Sequence, residues 1–97
     1  MYVYMLRCRD GSIYTGCTND VKKRFLQHQT GKGARYTRAR LPVVLCYVEI
    51  ALDKSHALRR EYAIKQLSKA QKEALIAAYQ SGHQALAPDS CAIIDDT

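Results

Sequence analysis

The chain is predicted to form one α+β domain, a small three-stranded antiparallel sheet flanked by helices in the order ββαβαα, and three observations lead there. Two β-branched and aromatic runs, Tyr2 to Arg9 and Ile13 to Thr18, are joined by Asp10-Gly11, a dipeptide that favours a tight hairpin turn. A third apolar run, Val43 to Ile50, follows Pro42. The remaining segments carry helix caps and helical spacing, and strands that pair by hairpin rather than alternating with helices define an α+β class.

The first helix is expected from Asp20 to about Thr30, with Thr18 or Asn19 as its cap and Gly31 as its stop. Val21 and Phe25 lie four apart, on one face. The stretch from Lys32 to Arg40 holds four cations, Gly33 and Tyr36 without clean periodicity, and reads as an exposed loop. The strand from Val43 to Ile50 is almost continuously apolar, as expected for burial on both faces. A second helix is expected from about Ser55 to Gln66. Ser68 and Gln71 have the spacing of a capping box for a third helix ending near Gly82. Residues 1–82 therefore form the domain, and 83–97, with Pro88 and mixed composition, read as a flexible tail.

A chain of 97 residues suits a single core that buries roughly 60–65% of the unfolded surface. The net charge of +6 is unevenly placed: the final segment carries Asp89, Asp95 and Asp96 and no lysine or arginine, so residues 1–82 hold +9. A small domain this basic favours a polyanionic partner; solubility alone is the plainer explanation. Cys8, Cys17, Cys46 and Cys91 form no C-x-x-C pair and have no metal or disulfide spacing. Arg7, Arg9 and Asp10 follow early enough to argue against a signal peptide, and no apolar run approaches the length of a membrane span. A cytoplasmic protein with reduced thiols, no membrane and no obligatory protein partner is expected.

Chemistry-bearing side chains are spread through these elements. Arg24 and His28 are four apart, within about 40° on one helix face. Tyr4 and Tyr14 stand on the two hairpin strands, and Glu61 on the second helix. Each has an ordinary reading: a solvated basic face beside Lys22 and Lys23, strand tyrosines that pack with wet hydroxyls, and a Glu61–Lys65 pair at helical spacing.

As an ordered set, Tyr2-Val3-Tyr4, Tyr14-Thr15-Gly16, Arg24, His28 and Glu61 resemble the GIY-YIG nuclease superfamily, in its small stand-alone bacterial YhbQ-type form. The resemblance runs from about Tyr2 to Tyr79, strongest from Tyr14 to His28, with Gly31 to Ala34 and Leu58 to Lys65 also similar. It implies a GIY-YIG-like fold with Tyr4 and Tyr14 as the motif tyrosines, Arg24 as the helix arginine, His28 as the histidine one turn on, and Glu61 as the metal-binding glutamate. Gly16 matches the glycine where the second strand leaves room for backbone or substrate. Tyr2, Val3 and Thr15 depart from the motif, Ser12 stands where a lysine is often found, and the family's late asparagine has no counterpart.

What the resemblance implies is a metal-dependent endonuclease acting on DNA or RNA. Glu61 would hold one Mg²⁺ or Mn²⁺, and Arg24 would present planar donors to phosphate. Tyr4 would act as general base, assisted by a cation or by relay to His28, while Tyr14 orients water or phosphate. Lys32, Arg35, Tyr36, Arg38 and Arg40 would grip the nucleic acid, with Arg59 and Arg60 beside Glu61. One rival is a nucleic-acid-binding module of the same fold that cleaves little or not at all. Another is an interaction domain using Ala74, Leu75, Ala78 and Tyr79 as a partner-facing stripe, although their spacing favours core.

Overall fold

The computed structural model describes residues 1–86. The strands are β1 (Tyr2–Arg7), β2 (Ile13–Thr18) and β3 (Val44–Ile50), and the helices are α1 (Val21–Gln29), α2 (Arg35–Arg38), α3 (Lys54–Lys65) and α4 (Lys69–Leu86). The order is thus ββααβαα. The additional element, α2, occupies the basic stretch expected to be loop; at four residues it is too short to show periodicity.

The sheet order is β2-β1-β3, and β1 is antiparallel to both neighbours. The hairpin forms where expected, with a longer connection: β1 and β2 pair as far as Arg7 and Ile13, and Gly11 donates to the Cys8 carbonyl within the loop. The Asp10 carboxylate accepts from both the backbone and the hydroxyl of Ser12.

Strand periodicity assigns the two faces of β1 to two cores. On one side Tyr4 and Leu6 join Cys8, Val43 and Leu45, packed by Val21 and Phe25 of α1. On the other, Val3 and Met5 join Cys46, Tyr47, Ala57 of α3 and Ile76 of α4. The strand buried on both faces is therefore β1, which corrects the expectation for β3. The physical reason is position: β1 is central, whereas β3 is an edge strand whose Val44 and Ile50 are 48% and 78% exposed. A bulge in β3 opposite Met5 and Leu6 lets Leu45, Cys46 and Tyr47 all turn inward.

Asp20 itself caps α1, accepting from the Lys23 amide at 3.0 Å, and the helix closes through Thr30 before Gly31 at φ +80°. The capping box of α4 forms as expected, Ser68 N donating to Gln71 Oε1 and Gln71 N to Ser68 Oγ. That helix continues past Gly82 to Leu86; the rest of the expected tail lies outside the described residues, Cys91 with it. Of the stripe on α4, Leu75 and Tyr79 pack on the core while Ala74 and Ala78 are exposed. No described helix is long and apolar enough to cross a membrane.

Candidate active site

The pairing register places Tyr4 opposite Gly16 and Leu6 opposite Tyr14, so both tyrosines stand on the α1 face of the sheet. Their ring centroids are 6.4 Å apart. Gly16 is needed here for space: a Cβ at that position would meet the Tyr4 Oη at 2.6 Å. The opposing phenol lies across the vacant side of the glycine.

Helix α1 turns Val21, Arg24, Phe25 and His28 inward, the i, i+3, i+4, i+7 stripe of an amphipathic helix. Arg24 and His28 thus hold positions in an apolar pattern, and depth separates them. Arg24 is half-buried and its Nη1 donates to Gln27 Oε1 at 3.0 Å; His28 has no exposed surface. The His28 ring packs 5.8 Å from Tyr4 and 5.2 Å from Tyr14. A Cβ at Gly33 would collide with His28 Nδ1, so the segment before α2 closes over the ring.

A chain of hydrogen bonds assigns the tautomer. The Thr37 hydroxyl donates its one proton to the Ala34 carbonyl at 3.0 Å, so its oxygen accepts from His28 Nδ1–H at 2.8 Å. The remaining nitrogen, Nε2, then carries the lone pair and accepts the Tyr4 proton at 2.8 Å. Thr37, wholly buried, was not among the sequence-derived candidates. It sits between arginines in a stretch without periodicity, and only the folding of α2 against α1 brings it to His28.

Burial pushes the Tyr4 phenol up to about 12, against the pull of the Arg24 guanidinium beside it. Burial also pushes His28 down to about 4, and the positive charge of Arg24 acts in the same direction. His28 is therefore neutral at physiological pH, in keeping with the tautomer that receives the phenol proton. This has a consequence for stability. Between pH 6.5 and pH 4 the unfolded chain binds a proton at this position that the folded protein does not, so stability falls as pH falls. The loss attributable to His28 should reach about 3 kcal/mol by pH 4, and it should be absent from His28→Gln. Urea midpoints from pH 7 to pH 4.5 measure it; a flat wild-type profile above pH 5 would contradict a buried neutral imidazole.

Glu61 lies on α3, on the side of the helix that faces β2. Its carboxylate pairs with Lys65 at 2.5 Å and accepts a hydrogen bond from the Cys17 thiol. Burial raises its pKa, but the Lys65 and Cys17 hydrogen bonds and the Lys65 charge prevail and hold it below the usual carboxylate range. Its charge reaches across to Tyr4, raising the phenol. Cys17, also absent from the sequence candidates, is pushed up to about 11 by burial and by the Glu61 carboxylate it serves. Tyr4, Tyr14, Arg24 and His28 thus meet on one face, and Glu61 acts on them from beyond the β2 edge.

The cations expected to grip nucleic acid divide by their partners. Lys32, Arg35 and Arg38 are exposed, and no side-chain partner engages their charges among the described residues. Arg40 is committed: its Nε donates to Asp10, its Nη1 donates to the Tyr36 carbonyl, and its guanidinium lies 3.8 Å from the centre of the Tyr36 ring. Tyr36 in turn stacks on Tyr14 at 6.2 Å. Arg59 donates to Ser55. Arg60 is bound through two bonds to Glu49 of β3, the edge opposite β2, which places it away from Glu61's partners. The helical succession Arg60-Glu61 sends the two side chains toward opposite edges of the sheet.

This fold is that of a GIY-YIG catalytic domain, and residues 1–74 match that domain. The chain belongs to the GIY-YIG family. It is 57% identical over 74 residues to a UPF0213 protein of Halobacterium salinarum, covering 76% of this chain and 96% of that one. A UPF0213 protein of Desulfotalea psychrophila is 48% identical over 86 residues, covering 88% and 78% of the two chains. Among solved structures, the solution NMR structure of a UPF0213 protein from Bacillus halodurans is 43% identical with a TM-score of 0.56, covering 92% of this chain and 95% of that chain. A second NMR structure, of a protein from E. faecalis, is 38% identical with a TM-score of 0.55 and covers 80% and 83%.

Proposed function

We propose that this protein is a divalent-metal-dependent endonuclease that hydrolyses phosphodiester bonds in DNA or RNA. The observation that carries this reading is the directed hydrogen-bond chain from Tyr4 through His28 to Thr37, set between the Arg24 charge and the Glu61 carboxylate. A binding module has no use for a buried phenol whose proton is aimed at a neutral imidazole.

Hydrolysis needs a deprotonated water, stabilisation of charge on the phosphoryl oxygens, and help for the leaving oxygen. Burial holds the Tyr4 phenol up at about 12 and the His28 imidazole down at about 4, so a standing phenolate–imidazolium pair is disfavoured. Tyr4 therefore works as a conduit: its oxygen takes the proton of the attacking water as its own proton passes to His28 Nε2. The Nδ1–H tautomer keeps that nitrogen open. Arg24, held by Gln27 and by a side-chain hydrogen bond with Tyr4, would turn the remaining donors of its planar fork to a phosphoryl oxygen, and a positioned donor of this kind contributes about 2.7–4 kcal/mol in a transition state. Tyr14, on the same face, orients the phosphate.

The donor set suits the metal that the family implies. Glu61 offers one hard carboxylate already paired with a cation, Lys65, and among the described residues no cluster of three His, Cys, Asp or Glu forms a closed cage. Mg²⁺ and Mn²⁺ keep several waters and bind through one or two carboxylates together with substrate phosphate. Glu61 would hold the ion, which when bound supplies Lewis-acid stabilisation at a phosphate oxygen and the leaving oxygen.

Arg35 and Arg38, free of carboxylate partners, are assigned to backbone affinity. Arg35→Ala/Arg38→Ala should weaken binding alike for all sequences and flatten the log-affinity against log-salt slope by up to about 0.7–0.9 per lost phosphate contact. An unchanged slope would remove α2 from the interface. Arg40→Ala should instead lower stability, because it leaves Asp10 unpaired and uncovers the Tyr36 ring.

A further inference from the structure

Alongside the candidate site, a cavity of about 230 Å³ opens at the β2 edge, lined by Ile13, Tyr14, Thr15, Tyr36, Lys65 and Lys72. Its make-up is divided. Ile13 and the rings of Tyr14 and Tyr36 give it apolar walls, while α3 and α4 each contribute a lysine. Lys72 is the telling residue. It is half-buried, and among the described residues nothing neutralises it: its neighbour Glu73 is held by Arg7 through two hydrogen bonds. On the same helix, Lys69 donates to the Gly11 carbonyl and Lys65 of α3 holds Glu61, so Lys72 is the lining cation with no partner of its own. An ammonium with no counter-charge among the described residues is available to attract an anion at this position. The Thr15 hydroxyl, on a residue only 3% exposed, has no hydrogen-bond partner either.

We propose that this cavity is a subsite for one unpaired nucleotide of the substrate, its base against the Tyr14 and Tyr36 rings and its phosphate at Lys72 and Lys65. The proposal rests on the nuclease reading and deepens it by naming what flanks the scissile phosphate. Tyr14 belongs to both sites, and Lys65 joins the cavity to Glu61, so a nucleotide here is adjacent to the bond to be cut. The cavity takes a single ring system and not a base pair. The substrate class is accordingly a strand whose base at this position is free: a single strand, a frayed end or a flap. Apolar walls with two cations match a nucleotide, whose base is flat and weakly polar on its faces and whose phosphate is strongly anionic.

Thymidine 3′,5′-bisphosphate tests this in the presence of a chelator, so that no turnover is required. NMR titration of the full chain should give saturable shifts at the amides of Ile13, Thr15, Tyr36 and Lys72, with an affinity at least about tenfold above that for inorganic phosphate. Lys72→Met and Tyr36→Ala should each weaken it by about tenfold, whereas Lys23→Met on α1 should leave it unchanged. Lys72 makes no side-chain bond within the described residues, so Lys72→Met should keep the wild-type urea midpoint. Affinity no better than that of inorganic phosphate, shifts centred elsewhere, or an unaffected Lys72→Met would each overturn the subsite. Cleavage with Mg²⁺ or Mn²⁺ is scored separately. Turnover without bisphosphate binding removes the subsite alone. Bisphosphate binding without turnover by the wild type removes the nuclease reading and leaves a nucleotide site.

Discussion

Glu61→Gln is expected to abolish metal-dependent cleavage, with a fall of about 10³-fold or more, and to leave the fold intact. The substitution keeps the shape and removes the charge that would hold a divalent cation. Stability should barely move, because the Glu61–Lys65 contact is an i,i+4 pair at the protein surface, worth about 0.3–0.5 kcal/mol. Affinity for nucleic acid in the absence of metal should also persist, since it rests on the cations of α2 and the adjoining segments. The contrast identifies the role: a structural carboxylate would lose stability and activity together. Glu73→Gln supplies the comparison. It breaks the Arg7–Glu73 pair between β1 and α4 and should cost stability without touching the chemistry. Rates with Mg²⁺ and Mn²⁺ across a panel of DNA and RNA structures, with urea midpoints alongside, measure both. A Glu61→Gln protein that cleaves at the wild-type rate would sink the mechanism.

Gly16→Ala should damage both stability and chemistry. The added methyl would stand 2.6 Å from Tyr4 Oη and 2.8 Å from its Cζ, and Tyr4 is 2% exposed, with His28 and Tyr14 packed around it. The phenol has no empty space into which to move. Overpacking of this kind costs about 1–3 kcal/mol. Displacing the hydroxyl also breaks its bond to His28 Nε2, and a misplacement near 1 Å costs about 10²-fold in rate. Adding Tyr4→Phe to Gly16→Ala removes the nearest atom, so the double variant should regain part of the lost stability and none of the activity. Wild-type rate and midpoint in Gly16→Ala would show that the Tyr4 position is not needed.

Some of this was legible in the linear chain because the signals are local. Asp10-Gly11 between two alternating runs marks a hairpin, and Ser68 with Gln71 closes a cap within four residues. The ordered set Tyr4, Tyr14, Arg24, His28 and Glu61 carries a resemblance to the family that residues 1–74 match. By the same logic α2 was missed: a helix of four residues has no period to detect. The doubly buried strand was misassigned for a different reason. Hydropathy alone rated Val43 to Ile50 as the more apolar run, and burial is decided by which strand the others pair with.

The sequence by itself determined the strands, the capped helices, the basic character of the domain and the family to which the chain belongs. Only the tertiary structure decided their states and partners. It buried His28 and so made it a neutral acceptor; it set Thr37 behind the ring and so chose the tautomer. It bound Arg60 to Glu49 and Arg40 to Asp10, withdrawing both from the free cations, and it left Lys72 beside a cavity without a counter-charge. The physical reason is that desolvation and pairing depend on contacts between residues far apart in the chain. His28 and Thr37 are nine residues apart, Tyr4 and His28 twenty-four, and Arg7 and Glu73 sixty-six. At such separations the charge state and orientation of a side chain are properties of the packing around it.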